Sequence, residues 1–515
     1  MASAAAQPAA IQLDGIDRVL TTIAVILAML MQVLDTTIAN VALPHMQTSL
    51  GATRDTISWV LTSYIVASAV AIPITGWLAD RVGRKPLFVW AVIAFTIASV
   101  LCAMAQNLPE MVLFRIVQGV AGAFLVPLAQ SVMFDINPPE NHGRAMALFG
   151  AGVMIGPILG PVLGGWLTES FNWRWVFLVN LPIGILAVVM MLRFMPASPT
   201  APRRFDLAGF ALLAMALAGL QMMLDRGEQL EWFSSWEIWV ECGLGIAGAW
   251  MFAVHMATAE RPIFEPGMFA DRNFATGLAF MAVTGVMLFA GLALLPPLLQ
   301  NLFGYSVLQS GFLTAPRGIG TLVSMIVVGR LIERIDARLL ILFGLVLMAL
   351  SLWWMSGFSL DMDQRPIIWS GVVQGFALGF LFVPLNLLAF ATLNPRHRTT
   401  AASLLNLSRS VGGSIGISIM TVLLSRNLQI SHADLAAHVT PYSLPQVDPT
   451  LVASAQPLTR AAAAMLDAEI NRQALMIAYL DDFHLMMLIT LAAAPLVLLL
   501  KKAKRGGAGQ HAAME

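Results

Sequence analysis

Two charged side chains stand where a membrane-spanning sequence should have none. The stretch QVLDTTIANVALP (32–44) closes an apolar run that begins near Val19 and carries Asp35 in its middle, and a second apolar run carries Arg115. A charge at the centre of a spanning helix costs roughly 2.5–3.5 kcal/mol on insertion scales, so each is a functional candidate from the outset. On a helix, Gln32, Asp35, Thr36, Ala39 and Asn40 follow i, i+3, i+4, i+7, i+8 spacing and share one polar face that should point into a bundle. Arg115, Gln118, Gly119 and Gly122 share a face in the same way, placing a cation and an amide beside residues small enough to admit another helix. Apolar burial favours a protonated carboxyl and a nearby guanidinium favours the carboxylate, so a small rearrangement can move Asp35 between the two. This is proton-coupling chemistry. One proton crossing 100 mV supplies ~2.3 kcal/mol, about a 50-fold concentration ratio. Such a group should be secluded from lipid between two lobes. The alternative for Asp35 is a helix–helix hydrogen bond without titration.

The elements that must hold these side chains are spanning helices. Of 515 residues 58% are hydrophobic and 11% charged, with mean hydropathy +0.78, a composition for a polytopic all-α membrane protein. Runs of ~20 apolar residues exclude a β-barrel. Spans are expected near 19–43, 56–79, 87–105, 110–133, 144–167, 174–194, 207–225, 236–257, 274–300, 308–329, 338–357, 367–392, 400–423 and 484–500. The N-terminal segment lacks a basic region before its apolar run, so the first span should be retained. Cys102 and Cys242 lie in apolar segments and read as packing residues, and zero net charge gives no hint of a nucleic-acid partner.

Basic residues test the topology. With a cytoplasmic N-terminus, nineteen of the 29 Lys and Arg fall inside, including Arg18, Arg144, Arg203, Arg272, Arg334, Arg398, Lys502, Lys504 and Arg505. Seven fall outside, namely Arg54, Arg174, Arg226, Arg365, Arg426, Arg460 and Arg472. This asymmetry places both termini in the cytoplasm. Arg317 and Arg409 join Arg115 within spans and should face the interior or pair with groups such as Asn406 or Ser403. Asp225 and Arg226 could pair locally, with Glu241 near an outer helix end. The long outside loop, 424–483, contains TRAAAAMLDAEINRQALMIAYL, a helical pattern that could lie on the membrane, meet a partner or serve as a solvated connector.

The chain repeats itself. VQGVAGAFLVPL (117–128) and VQGFALGFLFVPL (373–385) are each followed by Asn-Pro, at Asn137 and Asn394, with Gln118 and Gln374 256 residues apart. Duplicated halves suit alternating access about a central site. The copies differ at the charge, because Arg115 has Gly371 as its counterpart. The implied division is a first six-helix bundle over 1–195, a linker and two-helix insertion over 196–265, and a second six-helix bundle over 266–515.

Two further stretches carry function by type and spacing. GWLADRVGRKP (76–86) is a compact charged loop in which Gly76 and Gly83 permit tight helix ends, Asp80 can accept from basic groups, and Arg81, Arg84 and Lys85 anchor one surface. In GAGVMIGPILGPVLGG, Gly152, Gly156, Gly160 and Gly164 recur every fourth residue, followed by Gly165 and interleaved with Pro157 and Pro161, a strip for close packing on a helix that can bend. A purely topogenic anchor and a purely structural seam are the plainer readings of these two.

Together these motifs resemble the major facilitator superfamily. The charged loop matches the signature loop of that superfamily at every familiar position except Pro86, where another basic residue is frequent. The glycine strip resembles the antiporter motif of its drug:proton exporters. Fourteen spans, LDTTIANVALP in the first, and LDRGEQLEWFSSWEI (224–238) between the two extra helices look like its 14-span drug:proton antiporter family, over about residues 18–500. The resemblance implies a major facilitator fold and a secondary transporter, not an enzyme. It assigns Asp35 and Arg115 to proton coupling, Asp80 and Arg84 to a gating latch, and 152–165 to the antiporter motif. It further implies export of lipophilic small molecules, no cofactor beyond the proton motive force, and an inner-membrane pump working with a periplasmic membrane-fusion adaptor and an outer-membrane channel. Gln32, Tyr64, Gln118, Phe124, Gln130, Met154, Gln300, Asn386, Asn406 and Arg409 are candidate cavity residues, because amphipathic or polarizable groups in apolar spans suit promiscuous binding. An exporter of one physiological solute, such as a fatty acid, siderophore or amino acid, fits the same scaffold. An ATP-driven pump lacks its phosphate loop, and a membrane enzyme or sensor lacks a clustered nucleophile or HExxH-like spacing.

Overall fold

A computed structural model describes residues 15–53, 56–198, 200, 204–438 and 460–501, among which every regular element is helical. Fourteen helical segments are long and apolar enough to span a bilayer. They are α1 (Gly15–Ser49), α2 (Trp59–Val82), α3 (Arg84–Met104), α4 (Leu108–Asp135), α5 (Pro139–Ser170), α6 (Trp175–Phe194), α7 (Leu207–Arg226), α8 (Trp236–Thr258), α9 (Arg272–Asn301), α10 (Leu308–Leu331), α11 (Ala337–Met355), α12 (Gln364–Ala391), α13 (Pro395–His438) and α14 (Ala464–Leu499). All fourteen expected spans are present. Arg54, Arg203, Lys502, Lys504, Arg505 and the loop centre 439–459 lie outside the described residues.

Local chemistry sets the ends and breaks. The Asn107 side chain accepts from the Glu110 amide at 2.9 Å while the Glu110 carboxylate accepts from Gln106 N at 3.0 Å, starting α4. Ser306 and Gln309 form a reciprocal capping box at the start of α10. Pro73 interrupts α2 with a single 3-10 turn, Ile72–Ile74. In α4 regular helix lapses at Ala123 and Phe124, where Pro127 has no N–H to offer the Ala123 carbonyl.

The repeat is visible in the packing. In the first six spans α1 packs on α5 and α6, α2 on α4, and α3 on α4 and α6. Shifted by eight, the same pairs recur as α9 with α13 and α14, α10 with α12, and α11 with α12 and α14. The two sets meet along α5 with α10 and along α2 and α4 with α13. α7 and α8 pack on each other, and α7 alone reaches across to both α2 and α13. Glycines allow this pairing: a Cβ at Gly219 would approach the Glu241 carbonyl at 2.6 Å, and one at Gly248 the Ala216 amide at 2.6 Å.

Three expectations need refinement or correction. The span expected at 484–500 stands, but it is the apolar end of a much longer element: one helix runs from Arg460 to Ala492 and is followed by a 3-10 turn, Ala494–Leu499. Its buried positions Met476, Tyr479, Phe483, Met486 and Thr490 keep helical spacing among polar neighbours, which lowers hydropathy without loosening the packing. Residues 464–473 of the same helix are largely exposed. The helix of α13, Arg398–His438, is 41 residues long, or ~62 Å at 1.5 Å per residue, twice a hydrocarbon core of ~30 Å. The two extensions run side by side, with His432 Nε2 3.0 Å from Asp467 Oδ1. The third correction concerns Arg226, which pairs with Glu237 at 2.6 Å and Glu241 at 2.7 Å rather than with Asp225. Asp225 instead accepts from Gln221 Nε2 at 3.0 Å. The hairpin brings the α8 acids to the end of α7, where a bidentate guanidinium satisfies two carboxylates.

Candidate functional site

Asp35 and Arg115 meet. Arg115 Nη1 donates to Asp35 Oδ2 at 2.5 Å and to Gln118 Oε1 at 2.8 Å, and both charged side chains are fully buried. Gln118 Nε2 donates to Asp35 Oδ1 and to Ser99 Oγ, each at 2.8 Å. Arg115 Nε donates to the Val60 carbonyl at 2.9 Å, and the guanidinium lies 4.2 Å from the Tyr64 ring centroid. Asn180 Nδ2 reaches Asp35 Oδ1 at 3.3 Å and Ser99 Oγ at 3.2 Å. Five spans, α1, α2, α3, α4 and α6, therefore converge on one carboxylate.

The shared face expected of Arg115, Gln118, Gly119 and Gly122 explains how. A Cβ at Gly119 would meet the Tyr64 carbonyl at 2.5 Å, and one at Gly122 the Tyr64 hydroxyl at 2.8 Å. These glycines let α2 come close enough to lay Tyr64 over the guanidinium. A low-dielectric pair of this kind holds only while further hydrogen bonds satisfy its remaining atoms, and removing either charge leaves the other exposed to desolvation. Its location differs from the expectation. The carboxylate is not between the two lobes but inside the first six spans: among the described residues its hydrogen-bond partners are Arg115, Gln118 and Asn180, all within those spans. Ser99 and Asn180 were missed by sequence reasoning. Neutral polar residues in a span cost little, and only the i, i+19 and i, i+62 separations from Gln118, meaningless without the fold, connect them.

A second cluster ties the two sets of six spans at one end. Asp135, at the end of α4, pairs with Arg84 of the charged loop and with Arg398 of α13 at 3.1 Å. Arg84 N also donates to Ser198 Oγ at 2.9 Å, and Lys85 Nζ donates to the Met195 carbonyl at 2.6 Å. Gly83 holds φ +94°, a left-handed value that a side chain resists. A Cβ at Gly76 would overlap Thr400 of α13, so that glycine sits in the contact between the two sets. Arg81 stacks 5.2 Å from the Trp77 ring, and Asp80 is an electrostatic neighbour of Arg84. Asp135 was not singled out from sequence because an acid at the end of a span is unremarkable there.

Next to this cluster, four cavity candidates join. Gln130 Nε2 donates to Asn386 Oδ1 at 2.5 Å, Asn406 Nδ2 to Gln130 Oε1 at 2.9 Å, and Arg409 Nη2 to Asn406 Oδ1 at 3.0 Å. Ser131 and Thr399 hydroxyls lie 2.9 Å apart. Tyr64 belongs to the Asp35 cage instead. Gln32 is half-buried one turn before Asp35, Met154 is buried, and Gln300 is half-buried on α9 without joining either cluster. Phe124 lines an apolar cleft of about 670 Å³ between α2, α4 and α7, with Val66, Val70, Ile116 and Met222, which does not include Asp35.

The glycine strip works as a packing seam. A Cβ at Gly152 would meet Met29 at 2.5 Å, those at Gly156 and Gly160 would overlap Val33 and Thr37, and one at Gly164 would touch Ile38 Cα at 3.3 Å. All four neighbours belong to α1, and Thr37 Oγ1 donates to the Gly156 carbonyl at 3.2 Å. Gly165 has nothing within 4 Å. Pro157 and Pro161 stand inside the unbroken helix His142–Ser170. The opposite face of α5 meets α10, with a Cβ at Gly150 approaching Met325 and Phe382. One helix thus couples the span that carries Asp35 to the other set of six.

Residues 25–426 match the family model described as Major Facilitator Superfamily. The chain belongs to the major facilitator superfamily. As a major facilitator it is a secondary transporter, a multi-pass protein of the bacterial inner membrane that handles small molecules within a bilayer. It is 38% identical over 434 residues to the multidrug export protein EmrB of Escherichia coli K12, covering 84% of this chain and 85% of that one. It is 35% identical over 495 residues to the fatty acid resistance protein FarB of Neisseria gonorrhoeae, covering 95% and 97%. Its fold is similar to that of the proton:xylose symporter XylE, with TM-score 0.60 at 13% identity, covering 95% of this chain and 100% of that one.

Proposed function

We propose that this transporter is a proton-coupled antiporter that exports hydrophobic or amphipathic drugs from the cytoplasm or inner leaflet. The observation that carries the proposal is the fully buried Asp35–Arg115 pair, held by Gln118 and Asn180. Arg115 has an alternative acceptor in Gln118, so protonation of Asp35 can be answered locally by a shift of the guanidinium onto the amide. α5 lies between α1 and α10, giving that shift a route to the contact between lobes. The division at 195 and 265, with both termini cytoplasmic, suits this cycle, and in that orientation the Arg84–Asp135–Arg398 cluster closes the cytoplasmic side. The similarity to EmrB, by name a multidrug export protein, supports a multidrug range, and assembly with a periplasmic membrane-fusion adaptor and an outer-membrane channel is part of the proposal.

A second reading, export of one physiological solute, is favoured by the FarB relative, which matches more of the chain at nearly the same identity. Dye efflux from energised cells, with and without an uncoupler, tests the coupling. Uncoupler-sensitive efflux of several unrelated dyes is expected. Efflux that continues after the proton gradient collapses contradicts the antiporter reading, and efflux confined to one solute class favours the second. Co-purification with an adaptor tests the assembly.

A further inference from the structure

The internal repeat that aligns Gln118 with Gln374 places Asp35 opposite Gly291, because both are separated by 256 residues. The structure bears this out in space. Gln374 and Arg317 flank Gly291, and a Cβ built there would lie 3.5 Å from Arg317 Nη1, 3.8 Å from Arg317 Nη2 and 3.7 Å from Gln374 Nε2. The second set of six spans therefore contains the guanidinium and the amide of the Asp35 cage but not its carboxylate. Its arginine arrives from a different span, α10 rather than α12, because Gly371 stands where the repeat has Arg115. Arg317 is 7% exposed, its Nη2 is buried with no hydrogen-bond partner, and no acidic side chain among the described residues pairs with it. A buried guanidinium without an anion is costly. Near Arg115 that cost is offset by Asp35, whereas near Arg317 the position of the acid is a glycine.

We propose that Arg317 and Gln374 form an anion seat over Gly291 that takes the carboxylate of an amphipathic export substrate. This rests on the exporter reading and names a substrate class for it, a lipophilic carboxylic acid whose apolar body remains among the neighbouring spans. Guanidinium and carboxylate pair with two parallel hydrogen bonds, and the Gln374 amide supplies a third donor. Glycine at 291 keeps a Cβ-sized space free 3.5 Å from Arg317 Nη1, the point at which the ligand's carboxylate would meet the guanidinium. The seat lies apart from the proton site, so an acid substrate and Asp35 do not compete for one guanidinium.

Equilibrium binding to the purified full chain in nanodiscs tests the seat, using decanoate and methyl decanoate in chloride-free buffer. The acid is expected to bind at least tenfold more tightly than the ester. Arg317→Gln should erase that difference, and Gly291→Asp, which fills the seat with its own carboxylate, should erase it too while ester binding stays within threefold. Uncoupler-sensitive efflux of a cationic dye by the same variants shows that they are folded and keeps the exporter reading separate. If dye efflux persists in the wild type but acid and ester bind alike, the seat is wrong and the exporter stands. An acid preference unchanged in Arg317→Gln overturns the proposal, as does one abolished in the wild type by 100 mM chloride, which would make this an inorganic-anion site.

Discussion

Arg115 Nη1 stands 2.5 Å from Asp35 Oδ2 and 2.8 Å from Gln118 Oε1, so one guanidinium nitrogen serves a carboxylate and the amide that holds it. Neither charge touches solvent. Because the pair is buried, removing one charge is far more damaging than neutralising both. Arg115→Ala should cost about 3–5 kcal/mol by leaving Asp35 buried without a cation, whereas Asp35→Asn with Arg115→Gln should cost much less. Thermal unfolding of the detergent-solubilised proteins checks the order. Equal losses in both would show that the pair does not carry local stability.

The lobe contact at the charged loop depends on Asp135, which two arginines share. Asp135→Asn should release Arg84 and Arg398 together and weaken closure at that end by about 1–3 kcal/mol, a 5- to 150-fold change in population. Cysteines at Ser131 and Thr399, whose hydroxyls lie 2.9 Å apart, report it on a background lacking Cys102 and Cys242. Their disulfide should form readily in the parent and several-fold more slowly with Asp135→Asn. An unchanged rate would remove Asp135 from the latch.

The glycines of α5 differ in what surrounds them. Gly156→Ala forces a methyl into Val33 and should destabilise by roughly 1–3 kcal/mol, while Gly165→Ala, with open space, should stay within about 0.5 kcal/mol. Melting temperatures of the two variants decide it. Equal shifts would mean that the seam is not tightly packed.

Arg226 gathers Glu237 and Glu241 and lies 5.0 Å from the Trp59 ring centroid, joining the two-helix insertion to α2. Arg226→Ala should loosen that hairpin and raise the rate of protease cleavage between 227 and 235 several-fold. Unchanged resistance would place the stability of the insertion in α7–α8 packing alone.

What could be read from the sequence follows the cost of burying each group. Charges in spans are expensive, so Asp35 and Arg115 stood out, and the four-residue glycine period announced a seam before its partner α1 was known. Ser99 and Asn180 are cheap to bury, and nothing local marks them as neighbours of a carboxylate. Asp135 looked like an ordinary helix-end acid because its two cations come from a distant loop and from the other half of the chain. The long reach of α13 and α14 escaped hydropathy because their outer turns are amphipathic. The lobe assignment of Asp35 failed because spacing tells which face is polar, not which bundle that face enters.

The central claim is that Asp35 carries the proton. Reconstituted vesicles with an imposed pH gradient measure substrate-driven proton flux and substrate export together, comparing the wild type with Asp35→Asn. The variant is expected to insert and to bind substrate, with both the flux and gradient-driven export lost. Proton flux and export at the wild-type rate in Asp35→Asn would contradict it.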